Sequence, residues 1–417
     1  MFKATEPLKI FYTKNVKHPI RVSGSLREGS FSSNLVVDSH LKLIPSIDLD
    51  IEILSRDNID KAHRHCIVET NKAGFVHVKS TDADKTFFTH FFGSNFINRE
   101  LFNVKGYLQT NKLKRMIKER GGGGKKHLEL SFFILFDISL ERVNIEQKRR
   151  VTKSTCEYTN NIYIDKELKL IAYVDLAILI KLEWPCHYIK MWKERERLWP
   201  DLNLLAEELS VSYLIAKTTR EERSNSEATE FKYSFSHIEH KIFSLFSTNQ
   251  RTVYYTAKVI FKLRIKPLSD VFFTSFLVKN ALLWICENHI PNDELWDFDN
   301  DQGFFRVLIF LFSRLKDDVQ KGFVPYYFIP EVNLIKGIPG NLLKDALKIL
   351  DAVTMNVSKY IPAETETVHN WLEKTSNVFH EIIDIIETTR VYGSYASLFT
   401  YQNRLTANLK HFLITNS

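Results

Sequence analysis

The sequence predicts an α+β chain, with strands concentrated in its front half and helices in its back half. Three observations carry that expectation. Apolar runs of strand length recur at 41–44, 47–54, 74–78, 128–138 and 163–183. From about Leu198 the apolar residues take helical spacing instead, over segments such as 304–315, 342–357, 368–386 and 396–412. At 417 residues, 44% hydrophobic and 26% charged, the chain is long enough for two lobes with sizeable cores.

In the front half, residues 1–22 are mixed and short. Ser23-Gly24-Ser25-Leu26-Arg27-Glu28-Gly29-Ser30 follows. Its backbone N–H groups and the Ser25 hydroxyl suit a phosphate, and the same composition suits an ordinary loop. Next, Ser46-Ile47-Asp48-Leu49-Asp50-Ile51-Glu52-Ile53-Leu54 sets two carboxylates two positions apart among Ile and Leu. In a strand, Asp48 and Asp50 share one face. Acids held that close repel each other, which makes sense with a divalent cation between them; a solvated strand end gives the same triplet. Asp175 is the one charged residue of Ala172-Tyr173-Val174-Asp175-Leu176-Ala177-Ile178-Leu179-Ile180. An acid there needs a partner, either backbone donors or a charged site.

Charge is distributed unevenly. The formal net charge is +7, and residues 101–160 hold 13 Lys or Arg against 6 Asp or Glu, so this segment carries the whole excess. Lys112, Lys114, Arg115 and Lys118 precede four glycines at 121–124, and Lys125 and Lys126 follow them. The glycines read as a flexible linker. The surrounding charge fits either a solvated loop or a contact with nucleic acid. A second basic cluster, Lys148-Arg149-Arg150, lies downstream.

The four cysteines (Cys66, Cys156, Cys186, Cys286) lack a C-x-x-C spacing, as expected of a reduced, cytoplasmic protein. His63-Arg64-His65-Cys66 has no partner cluster to complete a zinc site. No signal peptide and no membrane span are expected.

In the back half, Ser236-x-x-Glu239 reads as a capping box. Lys258 and Lys262 share a helical face. A helix is expected from near Pro267 to Cys286, bringing Ser275, Phe276 and Lys279 to one side.

Together these motifs resemble the male-abnormal (Mab) domain nucleotidyltransferases, a family that includes cyclic GMP–AMP synthase and the cGAS-like receptors. Tyr233-Ser234-Phe235-Ser236-His237-Ile238-Glu239 is similar to the family's S-F-S-x-x-E segment. Ser275-Phe276-Leu277-Val278-Lys279 resembles its S-Y-h-x-K helix, followed by Leu283-Trp284-Ile285-Cys286-Glu287. Pro325-Tyr326-Tyr327-Phe328-Ile329-Pro330-Glu331-Val332-Asn333-Leu334 resembles its F-I-P-E-x-N-L stretch. Gly24-Ser25, Asp48-Leu49-Asp50 and Val174-Asp175-Leu176 with Trp184-Pro185 fall in the expected order, so the likeness covers roughly residues 20–335.

The resemblance implies a bilobed nucleotidyltransferase fold, a twisted mixed β-sheet lobe with an all-helical C-terminal lobe. It divides the chain into a core lobe at 1–200, a Mab-type helical lobe at 201–335 and a helical extension at 336–417. It implies that Asp48, Asp50 and Asp175 bind two Mg²⁺ or Mn²⁺ ions, and that Gly24 and Ser25 hold a donor triphosphate. Lys232, Ser234, Ser236, Glu239, Lys262, Ser275, Phe276 and Lys279 would contact nucleotide, Phe276 by stacking. ATP and/or GTP would be joined into a cyclic dinucleotide in innate immune signalling, with double-stranded RNA (or DNA) as activator and a homodimer on ligand. Lys112, Lys114, Arg115, Lys118, Lys125 and Lys126 would meet the nucleic acid. Two departures stand out. Twenty-two residues separate Ser25 from Asp48, which implies an extra strand or loop. Nothing between Glu239 and Lys262 supplies a His and Cys zinc thumb, which favours RNA over DNA. The competing readings are a catalytically silent family member that binds nucleotide or acts as a scaffold, and an unrelated basic interaction protein.

Overall fold

The computed structural model describes residues 20–23, 35–37, 43–54, 58–80, 101–113, 143–151, 156–164, 168–217 and 228–361, without 270, 292 and 299. For the strands up to residue 54, and for residues 143–178, the description is of the backbone. The expected helices at 368–386 and 396–412, and the strand at 128–138, lie outside the described residues.

Ten strands among the described residues join in one sheet: β1 (Ile20–Ser23), β2 (Leu35–Val37), β3 (Leu43–Leu54), β4 (Ile67–Glu69), β5 (Phe75–Val78), β6 (Val143–Val151), β7 (Cys156–Ile164), β8 (Leu168–Leu182), β9 (Ser212–Ile215) and β10 (Glu230–Ser234). Their order is β1-β3-β8-β9-β10-β5-β4, with β2 added to β3 and the β6–β7 pair added to β8. β3 and β8 run parallel, whereas the neighbouring pairs β1–β3, β7–β8 and β8–β9 are antiparallel. The mixed α+β fold expected from the sequence is therefore present. β2, falling between Ser25 and Asp48, is the extra strand that the long spacing implied.

The helices are α1 (His187–Glu194), α2 (Ser236–Ser244), α3 (Thr248–Arg264), α4 (Phe276–Asn288), α5 (Asp301–Gln320) and α6 (Gly340–Met355). Their apolar faces form one continuous core with the sheet. Ile238 and Phe243 of α2, Val253 and Ile260 of α3, Leu282 of α4 and Leu308 of α5 are buried in the same cluster as Val76, Leu182, Leu214 and Phe231 of the strands. α3 begins at a capping box: Gln250 N–H donates to the Ser247 hydroxyl at 3.2 Å, and Ser247 N–H donates to Gln250 Oε1 at 2.9 Å. Asn300 caps α5 by accepting from Gly303 N–H at 2.9 Å.

Several local expectations are corrected. The run at 163–183 is in the main one strand, β8 from Leu168 to Leu182, and only its first two residues belong to β7, which ends at Ile164. The region after Leu198 is not helical throughout, because β9 and β10 intervene. Burial in β10 alternates, with Phe231 and Tyr233 buried and Lys232 and Ser234 half-buried, and that period of two selects a strand. Phe235, with no side-chain capping bond, precedes α2, so the Ser236/Glu239 capping box is not formed. Pro267 lies in a separate tight turn, Lys266–Leu268, that stops where Ser269 turns extended; α4 starts only at Phe276.

Candidate active site

Backbone register alone brings the three acids together. β3 and β8 are parallel neighbours in which Asp50 pairs with Asp175 and Asp48 pairs with Tyr173. Neighbouring strands lie about 4.8 Å apart, and Asp48 is one pleat repeat from Asp50 on the same face. The row continues on both sides. Ser23, the last residue of β1, pairs with Asp50, while Glu157 of β7 pairs with Asp175 and Arg150 of β6 pairs with Glu157. Gly24 and Ser25, the next two residues after Ser23, lie outside the described residues. Hard oxygen donors at three adjoining strand positions suit Mg²⁺ or Mn²⁺.

A second group forms where β10 runs into α2. Ser234 and Ser236, half-buried, share a hydrogen bond between their hydroxyls at 3.1 Å. Lys232 Nζ lies 5.2 Å from the centre of the Tyr326 ring. Burial pulls the Lys232 ammonium down to about 8, the nearby Lys217 charge adding to the shift and Glu239 opposing it. Glu239, on the buried side of α2, accepts from Lys279 Nζ of α4 at 3.0 Å. Lys279 Nζ also lies 5.7 Å from the Phe276 ring, and that ring lies 5.6 Å from Tyr326. The resulting wall carries two ammonium groups, two serine hydroxyls and the half-buried Phe276 ring backed by the buried Tyr326, the chemistry that phosphate and nucleobase call for.

The F-I-P-E stretch explains why Tyr326 sits there. Asn333 locks the turn, its Oδ1 accepting from Val324 N–H (3.0 Å) and Ile335 N–H (3.1 Å) and its Nδ2 donating to the Gly322 carbonyl (2.9 Å). Phe328 stacks on Phe235 at 4.6 Å, tying the stretch to the β10–α2 junction. Ile329 presses on the turn between β4 and β5. Gly74 has φ +80°, a left-handed conformation that favours glycine, and a Cβ there would stand 2.8 Å from the tip of the Ile329 side chain, which can rotate away.

Residues 46–244 match the family model described as the Mab-21 protein nucleotidyltransferase domain, and residues 255–352 match the Mab-21 protein HhH/H2TH-like domain. The chain belongs to the Mab-21 family. A search of curated proteins finds no match. Mab-21 nucleotidyltransferase domains belong to a class that works on nucleotides, generally with divalent metals. In this Mab-21 chain the first match opens two residues before Asp48 and closes beyond Glu239, while the second contains Phe276, Lys279 and Tyr326. The wall is thus built jointly by both matched segments.

The remaining expected residues are spread more widely. Ser275 precedes α4, its carbonyl accepting from Lys279 N–H at 3.1 Å, so Ser275, Phe276 and Lys279 do cluster as expected. Lys262 is in the last turn of α3. Lys112 is half-buried in a helical turn at 110–113, and Lys114, Arg115, Lys118, Lys125 and Lys126 lie outside the described residues. The Lys148-Arg149-Arg150 cluster belongs to a strand, β6. No helix among the described residues is long and apolar enough to cross a membrane. Sequence spacing gave no signal for Tyr326 as part of the wall or for Glu157 in the acid row.

Proposed function

We propose that this chain is a metal-dependent nucleotidyltransferase that joins ATP and/or GTP into a cyclic dinucleotide. Double-stranded nucleic acid, RNA in preference to DNA, activates it in innate immune signalling. The observation that carries this reading is the pairing of Asp50 with Asp175 across parallel strands, with Asp48 one pleat repeat away. A carboxylate row of this kind has no packing purpose, since like charges at adjoining positions destabilise a sheet unless something neutralises them. Asp48, Asp50 and Asp175 hold two Mg²⁺ or Mn²⁺ ions, which when bound neutralise triphosphate charge and favour the alkoxide form of an attacking ribose hydroxyl.

The chain's own groups do the rest. Gly24 and Ser25 cradle the donor triphosphate; Lys232, Ser234, Ser236, Lys262 and Lys279 meet phosphate or base edges, and Glu239 orients Lys279. Phe276 stacks on a base. The catalytic lobe takes in β9 and β10 and so runs past residue 200 to the end of the first matched segment at 244, and the helical lobe is drawn from 255–352. Lys112, Lys114, Arg115, Lys118, Lys125 and Lys126 contact duplex phosphates, and duplex binding promotes a homodimer.

The test is incubation with all four nucleoside triphosphates, Mg²⁺ or Mn²⁺, and double-stranded RNA or DNA, followed by phosphatase treatment and mass spectrometry. A phosphatase-resistant dinucleotide is expected with RNA. One observation favours a second reading, a catalytically silent nucleotide-binding scaffold: Glu239 and Lys279 are spent on a largely buried ion pair with each other. That reading predicts a thermal shift with ATP or GTP and no product.

A further inference from the structure

Tyr326 is placed by what grips the backbone on either side of it. On one side, the Pro325 carbonyl accepts from Asn280 Nδ2 at 2.6 Å and from Trp284 Nε1 at 3.0 Å. On the other, Tyr327 N–H donates to Asn280 Oδ1 at 2.7 Å, and the Tyr327 carbonyl accepts from Arg195 Nη1 at 2.8 Å. Arg195 is the only member of this set from the nucleotidyltransferase segment. It follows α1, and its second terminal nitrogen pairs with the Glu287 carboxylate near the end of α4. The guanidinium lies 4.3 Å from the centre of the Trp284 ring and 4.8 Å from that of Tyr327. Leu198 and Trp199 N–H then donate to the Glu287 carbonyl at 2.9 and 3.2 Å. One loop therefore holds both the end of α4 and the chain beside Tyr326. The other end of α4 carries Phe276.

The geometry points to Arg195 as a positioning residue for nucleobase recognition. Its planar fork satisfies two acceptors at once, the Glu287 carboxylate and the Tyr327 carbonyl, and so sets how the buried Tyr326 ring backs the half-buried Phe276 ring, the ring that a base would meet. A lysine keeps the charge but reaches only one acceptor with defined geometry and loses the stacking. This inference rests on the nucleotide-binding reading above and assigns the base-facing part of that site to a residue that touches no ligand.

The experiment compares Arg195→Lys with the parent in calorimetric binding of ATP, of GTP and of inorganic tripolyphosphate, each with Mg²⁺, alongside far-ultraviolet circular dichroism. We expect the nucleotides to bind about tenfold more weakly and tripolyphosphate to stay within about twofold, because base stacking is affected and phosphate contacts are not. Equal losses for all three ligands would make Arg195 a general structural residue and overturn the proposal. So would unchanged nucleotide binding. A parent that binds tripolyphosphate and neither nucleotide overturns the nucleotide reading itself and this proposal with it. Should Arg195→Lys fail to fold, Glu287→Gln, which keeps the Arg195–Tyr327 bond, must show the same split at about threefold; a uniform loss there also overturns it.

Discussion

The two halves of the candidate site are positioned by different means. The acids stand on β3 and β8, where backbone register sets their relation. The wall of Lys232, Phe276, Tyr326 and Lys279 depends on side chains: a Glu239–Lys279 ion pair, ring contacts, and a buried Asn280 that bonds the chain on both sides of Tyr326. The difference teaches where function can be separated from folding. Strand positions can change chemistry while the ladder persists, and Lys232 on β10 shares that freedom, whereas the wall residues contributed by the helices and the Tyr326 stretch are also structural.

Asn280→Ala should break the comparison most severely. Asn280 is 1% exposed, and its loss orphans Tyr327 N–H and removes one donor from the Pro325 carbonyl. Chemical denaturation should show a loss of about 3–4 kcal/mol. Lys279→Met comes next. Glu239 and Lys279 are 9% and 11% exposed, so the bare carboxylate left behind should cost about 2–3 kcal/mol. By contrast Asp48→Asn and Asp50→Asn should leave the unfolding free energy within about 0.5 kcal/mol or raise it slightly, since each removes like-charge repulsion.

Lys232→Met sharpens the contrast through pH. The folded ammonium titrates at about 8 against an ordinary 10.5. Between those values the unfolded chain binds more protons, so the native chain gains stability as pH rises through that window. Below pH 8 the native chain bears the full penalty for a buried charge. Lys232→Met should therefore raise the thermal midpoint by about 1–2 °C at pH 7, and the advantage should vanish by pH 10.5. Triphosphate binding should weaken in the same variant at pH 7.

What could be read from the chain follows the same division. Asp48 and Asp50 were legible because a two-residue spacing in a run of Ile and Leu fixes their face whatever lies around them. The S-F-x-x-K cluster at Ser275, Phe276 and Lys279 was legible for the corresponding helical reason, though the start of α4 was not. β6 and β7 were missed because Lys148-Arg149-Arg150 and Thr159-Asn160-Asn161 are polar runs without apolar alternation. Ser236-x-x-Glu239 fits a capping box by spacing, yet Glu239 turns to Lys279, and the cap forms instead at Ser247 and Gln250. Arg195 was beyond local pattern altogether. Its partners Glu287 and Tyr327 lie 92 and 132 residues away, and no periodicity reaches that far.

The central claim is that Asp175 joins Asp48 and Asp50 in one metal-binding row. Pyrophosphate release from ATP and GTP with Mg²⁺ and duplex RNA, measured for the parent and for Asp175→Asn beside their melting curves, tests it most directly. The account predicts a loss of at least about 100-fold with an unchanged or slightly higher melting midpoint. An Asp175→Asn variant as active as the parent would contradict it.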